Sequence, residues 1–469
     1  MTLALSMIVR DAAGQLEACL ASARSLVDEI VIADTGSTDG TPGLAWRLGA
    51  RVLLTPWEED FADARNRALA EVRADWVLVL DADERLDTDA CDVLPALLDD
   101  PSTAGYQVTI RNYTLSLGDH VWDRPAVAND GRLAEASRYP AFVTHQNVRL
   151  FRRSPGIHFI GRVHESVGPA IVGSGGRLGR CDLLIHHFGL ADDAETRRHK
   201  NELYRKLGRK KVKEMPASAQ AHFELGLVEF DNFHNDQAAL DCFEEACRLN
   251  PRLAVAWVFA ALARARLGSH ESALGAVARA RRLGYAAPLL DEIEADALYN
   301  LGKFEAARRA YRAACRKLPG NAGLESKLGL AELRAGRRLA GLDRLRRSVT
   351  RSPQVADAHD RLIQALIWLD RPAEAAVAAE AKLVVLGGSA SDYLRAASIR
   401  SHLGERAKAV ALLQRGLECS PSSEKLRAVA ASLGIGGRQG ADGAVEPRSK
   451  VLAKGADSVS GTGSSVSRS

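Results

Sequence analysis

Trp76-Val77-Leu78-Val79-Leu80-Asp81-Ala82-Asp83-Glu84 runs from five apolar residues straight into an acidic cluster. Five consecutive apolar residues have the length of a buried β-strand, so the carboxylates of Asp81 and Asp83 follow the end of that strand. In open α/β sheets, ligands bind at the carboxyl edge of the strands. Oxygen ligands suit Mg²⁺ or Mn²⁺, whose remaining positions a diphosphate can fill. The stretch therefore predicts a metal-held nucleotide diphosphate at the edge of an α/β sheet.

The residues on either side of this stretch alternate between strand and helix patterns. We predict strands at 3–9, 29–34, 51–54 and 76–81, and helices at 12–25, 41–48 and 61–73. Such alternation predicts a mostly parallel sheet with helices on both faces. Further strands are expected at 107–111, 147–151 and 183–187. Residues 117–139 have little periodicity and are predicted to form a mobile loop over a site.

The second half of the chain repeats with a period of 34 residues. Turn residues and small residues recur at this spacing in two series, Gly268, Gly302, Gly336, Asp370, Gly404 and Ala273, Ala307, Gly341, Ala375, Ala409. With the Leu-Gly pairs at 225–226 and 328–329, they form the pattern of tetratricopeptide repeats, in which paired helices cross at small residues. We predict about six repeats between residues 219 and 421. A one-residue insertion falls near 231–234 in the first, and a capping helix is expected at 423–433.

Length, charge and cysteine content narrow the class of protein. A chain of 469 residues predicts two or three domains, and a net charge of +4 is too small to indicate a nucleic-acid partner. The seven cysteines form no C-x-x-C motif, which favours a reducing compartment. The N-terminus has no secretory pattern, and the longest apolar run falls far short of the roughly 20 residues of a membrane span. These features predict a cytoplasmic protein that does not bind nucleic acid.

A basic segment at 195–214 separates the two halves of the chain. It contains nine Lys and Arg residues, Arg197, Arg198, Lys200, Arg205, Lys206, Arg209, Lys210, Lys211 and Lys213. Two interpretations stay open: a linker helix that docks two domains, or a basic face toward an anionic membrane surface or a diphosphate. The last residues lack aromatic side chains and are rich in Gly, Ser and charge, which predicts disorder. The predicted domains are 1–194, a basic linker helix at 195–218, repeats with a capping helix at 219–435, and a tail at 436–469.

Four motifs in the first half each follow a strand or open a helix. They are Met7-Ile8-Val9-Arg10-Asp11, Asp34-Thr35-Gly36-Ser37-Thr38-Asp39-Gly40-Thr41, Ala64-Arg65-Asn66 and Asp81-Ala82-Asp83-Glu84. In this order and spacing they resemble the inverting GT-A glycosyltransferases of family 2, and the branch with C-terminal tetratricopeptide repeats is the most similar. The resemblance implies an α/β GT-A domain, with a Rossmann-like and mostly parallel sheet, followed by an all-α tetratricopeptide solenoid.

The resemblance also implies a donor site. Asp83 would touch a Mg²⁺ or Mn²⁺ ion directly, and Asp81 would lie nearer the ribose or a metal-bound water. Asp34 and Asp39 would bind the nucleotide base and ribose, and Asp11 is a similar candidate at the same sheet edge. Thr35 stands where many family members carry Asp. For Asp39 the alternative is a helix cap, because Ser, Thr and Asp before Thr41-Pro42 cap a helix without any ligand.

Two further groups complete the implied site. Arg65 and Asn66 would face the diphosphate from a helix, although an arginine on an exposed helix is more often solvated. The segment Gly161-Arg162-Val163-His164-Glu165 is similar to a Gly-x-x-His-Glu motif of the branch. It makes Glu165 the first candidate and His164 the second for the base that deprotonates the acceptor.

The segment His186-His187-Phe188-Gly189 is similar to the branch's closing His-Tyr-Gly, with Phe188 in place of the tyrosine. It makes His187 a candidate ligand of the metal or the diphosphate. Simpler roles stay open for both segments. Glu165 could anchor a loop by hydrogen bonds, and His187 could be a buried structural histidine.

The sequence therefore predicts transfer of a hexose from a nucleotide-sugar donor, first of all a UDP-sugar, to a protein, peptide, glycan or lipid-linked acceptor. The repeats would recruit the acceptor or a partner. The alternative is a tetratricopeptide scaffold whose GT-A domain has lost turnover. A nucleotidyltransferase is less consistent with the chain, because residues 9–14 are not a glycine-rich basic loop. The absence of G-x-x-x-x-G-K-[ST] and of G-x-G-x-x-G disfavours P-loop ATPases and nicotinamide enzymes.

Overall fold

The computed structural model describes residues 1–115, 120–121, 124–189 and 194–432. They form two compact units, Met1–Leu249 and a second unit that begins at Asn250. The first unit contains the sheet, the basic helix and the first pair of repeat helices, and the second contains the remaining repeats. Parts of the predicted loop at 117–139 and the predicted tail at 436–469 lie outside the described residues.

The first unit contains strands at each of the seven predicted positions and four short strands that were not predicted. The strands are β1 (Leu3–Val9), β2 (Glu29–Asp34), β3 (Arg51–Leu54), β4 (Trp76–Val79), β5 (Glu84–Leu86), β6 (Gly105–Thr114), β7 (His120–Val121), β8 (Arg124–Pro125), β9 (Val127–Ala128), β10 (Ala141–Arg152) and β11 (Leu178–His187). Among them, β5 and β7 to β9 are the strands that were not predicted. The helices are α1 (Ala13–Ala23), α2 (Thr41–Arg47), α3 (Phe61–Ala70), α4 (Ala90–Asp99), α5 (Gly168–Gly173), α6 (Ala194–Glu214), α7 (Ala219–Leu227) and α8 (Asp236–Leu249).

The main sheet is mixed, with strand order β3-β2-β1-β4-β10-β6-β11-β5 and β9 paired to β10. Strands β3, β2, β1 and β4 are parallel, as the alternation of strand and helix predicts. Strand β10 then runs antiparallel to both β4 and β6, and β5 runs antiparallel to β11. The parallel half brings the carboxyl ends of β1, β2 and β4 to one edge.

Both faces of β4 are buried, which explains its continuous apolar run. Trp76 and Leu78 belong to one core cluster, which includes Leu16 of α1. Val77 and Val79 point to the other face and pack in a second cluster with Ala68 of α3. A strand with helices on both sides needs apolar residues at every position rather than at alternate ones.

The second unit consists of helices that pair along the chain. They are α9 (Ala254–Arg266), α10 (His270–Arg282), α11 (Pro288–Asn300), α12 (Phe304–Lys317), α13 (Ala322–Arg334), α14 (Arg338–Arg351), α15 (Ala356–Trp368), α16 (Pro372–Leu386), α17 (Ala390–His402), α18 (Arg406–Cys419) and α19 (Glu424–Ser432). Together with α7 and α8 they give six helix pairs in the described chain, as the 34-residue period predicts, and α19 occupies the predicted capping position.

The turns inside the five pairs from α9 to α18 end the first helix of each pair in the same way. The residue at the 34-residue spacing has a positive φ, between 54° and 84° at Gly268, Gly302, Gly336, Asp370 and Gly404. In the first of these turns, the amide of Gly268 donates to Ala265 and the amide of Ser269 donates to Arg264. This is the Schellman arrangement, which satisfies the last carbonyls of a helix and favours glycine at the left-handed position.

The small residues of the second series lie where paired helices meet. A Cβ atom at Gly341 would lie 2.5 Å from the carbonyl oxygen of Gly329, so α13 and α14 approach at backbone contact. The predicted insertion in the first repeat appears as a π-helical turn at Val228–Asn232. Such a turn absorbs one extra residue without ending the helix.

Candidate functional site

The acidic cluster folds into a tight turn between β4 and β5. The amide of Asp81 donates to Glu84 Oε2 at 2.9 Å, and the amide of Glu84 donates to the carbonyl of Asp81 at 2.9 Å. Both carboxylate oxygens of Asp81 accept hydrogen bonds from buried arginines, Oδ1 from Arg65 Nη2 at 2.7 Å and Oδ2 from Arg149 Nη2 at 3.0 Å. The same Nη2 of Arg149 donates to Glu84 Oε1 at 2.8 Å. The turn is therefore a network of two guanidinium groups and two carboxylates.

This network fixes the charge on Asp81. Burial alone would raise the pKa of the Asp81 carboxyl, but the two arginines outweigh it and hold the pKa well below its usual range. Glu84 responds in the opposite direction, because burial and the neighbouring Asp81 charge raise the pKa of Glu84 to about 7 despite Arg149. Asp81 thus carries a permanent negative charge that its arginine partners balance.

Arg65 joins the acidic turn to the predicted base. It lies on α3, and its Nε donates to Glu165 Oε1 at 2.5 Å while Nη2 holds Asp81. Its third nitrogen, Nη1, is buried and has no hydrogen-bond partner among the described residues. Arg65 therefore joins Asp81 to Glu165 and keeps one nitrogen without a partner, and its contact with a diphosphate stays a prediction.

Asn66 is placed differently. Its side-chain amide donates to the carbonyl of Phe159 at 3.0 Å and accepts from the amide of Phe159 at 2.8 Å. In this structure the side chain anchors the segment that leads into Glu165, and it contributes to the site through that segment.

Asp83 and His187 converge on one point. Their Oδ2 and Nε2 atoms lie 3.2 Å apart, and Nδ1 of His187 lies 2.7 Å from Asn112 Oδ1 on β6. A histidine whose Nδ1 donates to an amide oxygen presents Nε2 as a ligand, the usual arrangement around a bound metal. Burial lowers the pKa of His187, but Asp83 outweighs it and raises the pKa.

Gly189 leaves room beside this pair. A Cβ atom there would lie 2.5 Å from His187 Nε2 and 2.6 Å from Asp83 Oδ2. Asp83 and His187 thus fit two positions around Mg²⁺ or Mn²⁺, and Asp81 does not while two arginines hold it. In the parts of the chain that the structure describes, no group of three or more His, Cys, Asp or Glu side chains is arranged for an ion. A metal at this point needs further oxygen ligands from a substrate or water.

The acidic residues at the ends of β1 and β2 both hold the backbone of the turn that follows β2. Asp34 Oδ1 accepts from the amides of Gly36 and Ser37 at 3.0 and 2.9 Å, whereas its Oδ2 is buried and has no partner among the described residues. Asp11 has a φ of 49°, and its Oδ1 accepts from the amide of Thr38 at 2.6 Å. The unused oxygen of Asp34 is a buried acceptor at the edge where a nucleotide would bind.

Asp39 behaves as a cap. Its Oδ1 accepts from the amide and the hydroxyl of Thr41, the first residue of α2, at 3.0 and 2.5 Å. Hydrogen bonds from the Thr41 hydroxyl and the Ala13 amide hold the pKa of Asp39 below its usual range. These contacts describe the helix-cap alternative for Asp39, although a ligand role stays a prediction.

Glu165 and His164 lie in a short loop between β10 and α5. The backbones of Ile160 and Ser166 pair across it, with N–O distances of 3.0 and 3.1 Å. His164 has a φ of 54°, a left-handed conformation that is strained for a residue with a Cβ atom. Its ring is exposed and stacks on Tyr204 of α6 with a centroid distance of 6.0 Å. The loop thus connects Glu165 to the acidic cluster through Arg65, whereas His164 contacts α6.

A buried network supports the end of β11. His186 Nδ1 lies 2.7 Å from the Tyr113 hydroxyl, and Nε2 lies 2.8 Å from Asp87 Oδ2. Phe188 packs on Tyr113 with ring centroids 5.3 Å apart. Phe188, in the place of the branch's tyrosine, therefore contributes to a core that orients His187.

The structure places four further residues in or around the site. Sequence reasoning gave no role to Glu84, Asn112 or Tyr204, and it left Arg149 as an undecided candidate for the acceptor side. Arg149 carried a signal, because a charged residue inside the apolar run 148–151 of a buried strand needs a charged partner. Tyr204 carried none, because its position in the site depends on how α6 packs on the loop.

Five residues of the basic segment form ion pairs inside the first unit. Lys206 and Lys210 pair with Glu59, Arg205 and Arg209 pair with Glu229, and Lys211 pairs with Glu224. These contacts favour the interpretation as a helix that docks neighbouring parts of the fold. None of the described helices is both long enough and apolar enough to cross a membrane.

Comparison with known proteins agrees with this geometry. Residues 6–184 match the sequence profile of the family described as Glycosyl transferase family 2. The sheet domain belongs to glycosyl transferase family 2. The match covers β1 to most of β11 and includes each predicted site residue except His187.

Two relatives extend the comparison. A TPR repeat-containing protein of Synechococcus elongatus is 39% identical over 36% of this chain and 36% of its own. A lipopolysaccharide core biosynthesis glycosyltransferase of Rhizobium meliloti is 30% identical over 36% of this chain and 56% of its own. The matches thus span between about a third and just over half of these relatives. A solved structure of PilW, a type IV pilus biogenesis factor, covers 45% of this chain and 97% of its own at 17% identity and a TM-score of 0.39.

Proposed function

We propose that this family 2 domain transfers a hexose from a nucleotide sugar, first of all a UDP-sugar, to an acceptor with inversion at the anomeric carbon. The observation that carries the proposal is the convergence at the carboxyl edge of the sheet. There Asp83 faces His187 at 3.2 Å, and Arg65 connects Asp81 to Glu165. This edge is where open α/β sheets bind their ligands.

Asp83 and His187 are the residues that would hold Mg²⁺ or Mn²⁺. A divalent ion bound there supplies positive charge against a leaving diphosphate. Arg65 and Arg149 add two fixed cations at the same edge, and Asp81 keeps both guanidinium groups in position. Asp34 offers its unused Oδ2 to the nucleoside.

Glu165 takes the proton of the attacking hydroxyl. The oxygen of that hydroxyl bonds to the anomeric carbon, the bond from this carbon to the diphosphate oxygen breaks, and its electron pair stays on the diphosphate. Glu165 accepts the proton once Arg65 Nε no longer holds it. A bound diphosphate favours that change, because it offers Arg65 another anionic partner besides Asp81 and Glu165.

For the acceptor we propose a polypeptide, a glycan or a lipid-linked sugar, brought to the site directly or through a partner by the repeats. Two relatives support this proposal. The role of the repeats is supported by the relative named a TPR repeat-containing protein, and a glycan or lipid-linked acceptor by the relative named a lipopolysaccharide core biosynthesis glycosyltransferase. A cytoplasmic location and weak contact with a membrane surface belong to the same proposal.

The test is nucleotide release from UDP-, GDP- and dTDP-hexoses in the presence of Mn²⁺. We expect slow release from one donor, its loss on adding EDTA, and a fall of about 100-fold or more in Asp83→Asn. Asp182→Asn is the matched control, because Asp182 is exposed on β11. Its release rate should equal that of the wild type.

Two outcomes would contradict the proposal. Release that continues unchanged in Asp83→Asn would remove the acidic cluster from the reaction. The absence both of turnover and of any change in melting temperature with all donors would favour the scaffold alternative.

A further inference from the structure

Helix α6 begins ten residues after the last residue that matches the family 2 profile, and it packs on the loop of the predicted base. Its side chains contact two residues of that loop and one residue of α3. Tyr204 stacks on His164 and lies 6.1 Å from the ring of Phe61, and Glu214 forms a two-bond ion pair with Arg162, each bond 3.0 Å. The helix is therefore in contact with the site along much of its length.

Tyr204 lies beside the loop of the predicted base, with its ring stacked on that of His164, the neighbour of Glu165. Burial, together with the charges of Glu165, Asp81 and Asp83, raises the pKa of Tyr204, so the phenol keeps its proton. The hydroxyl has no hydrogen-bond partner among the described residues. A half-buried phenol without such a partner is available to donate a hydrogen bond to a bound substrate.

Lys211 holds the loop from the same helix. Its Nζ donates to the carbonyl of Val163 at 2.9 Å and to Glu224 Oε2 at 2.6 Å, and its side chain is only 9% exposed. Gly161 has a φ of 105°, and a Cβ atom there would lie 3.3 Å from the same Nζ. Lys211 thus fixes the peptide that precedes His164, whose left-handed backbone needs such support.

The first repeat pair holds α6 from the other side. Glu224 lies on α7, and Glu229 lies in the π-helical turn that follows it. Glu229 Oε1 accepts from Arg205 at 2.8 Å and from Arg209 at 2.9 Å, and its side chain is only 3% exposed. The extra residue of the first repeat thereby builds the anchor for the helix that carries Tyr204.

We propose that α6 is a wall of the transferase site, in which Tyr204 contacts the attacking hydroxyl beside Glu165 and Lys211 is a positioning residue for the loop 161–166. The proposal rests on the proposed function for the role of Tyr204. The attacking hydroxyl belongs to the acceptor during transfer and to water during donor hydrolysis. A hydrogen bond from Tyr204 orients its oxygen toward the anomeric carbon while Glu165 takes its proton.

The first experiment compares donor hydrolysis by Tyr204→Phe with that of the wild type, using the donor that the wild type turns over best. The variant keeps the stacked ring and loses only the hydroxyl, so kcat should fall by about 10-fold or more while KM for the donor stays within about 2-fold. Tyr299→Phe is the matched control, since Tyr299 belongs to the second compact unit. An unchanged kcat in Tyr204→Phe would overturn the role of its hydroxyl.

The second experiment measures hydrogen exchange at the amides of Ile160 and Ser166, which pair across the loop. Lys211→Met should speed their exchange by about 10-fold, because Val163 and Glu224 lose their shared donor. Lys211→Arg, which keeps the charge, should restore most of the protection. Lys213→Met is the matched control, because Lys213 is exposed on the same helix.

The two experiments separate the possible failures. If the wild type turns over no donor, the proposed function fails, and the exchange measurement still decides whether α6 positions the loop. Exchange in Lys211→Met that equals the wild type would overturn that positioning role. Turnover in the wild type with both readouts unchanged in the variants would overturn the inference and leave the proposed function standing.

Discussion

Left-handed backbone occurs in two regions of this molecule, and in both regions glycines and residues with a Cβ atom adopt it. In the repeats it falls at the 34-residue spacing from 234 to 404, where four of the six positions are glycine and the other two are His234 and Asp370. Around the sheet edge several glycines adopt it, and so do Asp11, Glu59 and His164, with φ between 49° and 56°. A residue with a Cβ atom pays about 1–2 kcal/mol for this conformation, which glycine avoids.

The comparison shows where a side chain is kept despite the strain of a left-handed backbone. Four of the six repeat turns use glycine, the residue that this backbone conformation prefers. The sheet edge keeps side chains that act on their neighbours: Asp11 holds the amide of Thr38, Glu59 pairs with Lys206, and His164 stacks on Tyr204. Strain of this kind persists where surrounding contacts over-determine the structure, and it is concentrated at functional sites.

The largest effect on stability is expected from the charges of the sheet edge. Arg65→Met leaves the buried carboxylates of Asp81 and Glu165 without their shared partner, which should cost about 3–5 kcal/mol. Hydrogen exchange at the amides of β4 would measure this for the first unit alone. Arg67→Met is the control, since Arg67 pairs with Asp63 on the half-exposed face of the same helix and should cost less than about 0.5 kcal/mol. Equal effects of the two variants would show that the network does not stabilise the domain.

A smaller loss is expected where the repeats use glycine for close approach. Gly341→Ala places a Cβ atom 2.5 Å from the carbonyl of Gly329, and the resulting separation of α13 and α14 should cost about 1–3 kcal/mol. Exchange at the amides of α13 is the readout. Gly275→Ala on α10 meets nothing within 4 Å and should instead stabilise its helix by about 0.5–1 kcal/mol. A gain in both variants would mean that the 34-residue series of small residues does not reflect packing.

The buried His186, which precedes His187 on β11, should make the stability of the sheet domain depend on pH. Burial lowers the pKa of His186, so in acid the unfolded chain binds a proton that the folded chain does not. Stability should therefore be complete above the unfolded pKa of about 6.5 and fall as the pH drops below it, by at most about 1.4 kcal/mol per pH unit. His186→Asn should flatten the slope between pH 7 and 5, measured by exchange in β4, whereas the exposed His402→Asn should not. A slope that survives in His186→Asn would assign the effect to other groups.

The smallest effect is expected at Asp370, one of the two repeat turns without glycine. Asp370→Gly gives that turn the residue found at four of the other five positions and should stabilise the array by up to about 1 kcal/mol. The reverse change, Gly336→Asp, should destabilise it by a similar amount. Exchange at the amides of α15 and α13 would report the two cases. A loss of stability in Asp370→Gly would reveal a contact of the aspartate that outweighs the strain.

Local patterns were sufficient to predict most of the fold. The apolar runs placed β1 to β4, because a strand buried on both faces must be apolar at each position, and the 34-residue period placed the repeats. The strand order and directions in the mixed half of the sheet could not be predicted from the sequence. Nothing in β10 itself shows that it runs antiparallel between β4 and β6, since strand order depends on long-range packing.

The candidate site was likewise predictable only in part. Motifs that follow strands brought Asp81, Asp83 and His187 to one edge. They did not show that Arg65 and Arg149 would occupy both oxygens of Asp81, because ion pairs between distant segments leave no spacing in the sequence. Tyr204 was missed for the same reason.

The most direct test is a crystal structure of the protein with UDP and Mn²⁺, in which the anomalous signal of manganese locates the ion. We expect one anomalous peak between Asp83 Oδ2 and His187 Nε2, about 2.1 Å from each of these two atoms. The diphosphate should complete the coordination of the ion and face Arg65. Manganese and nucleotide bound elsewhere, or a diphosphate that approaches neither Asp83 nor Arg65, would contradict this expectation.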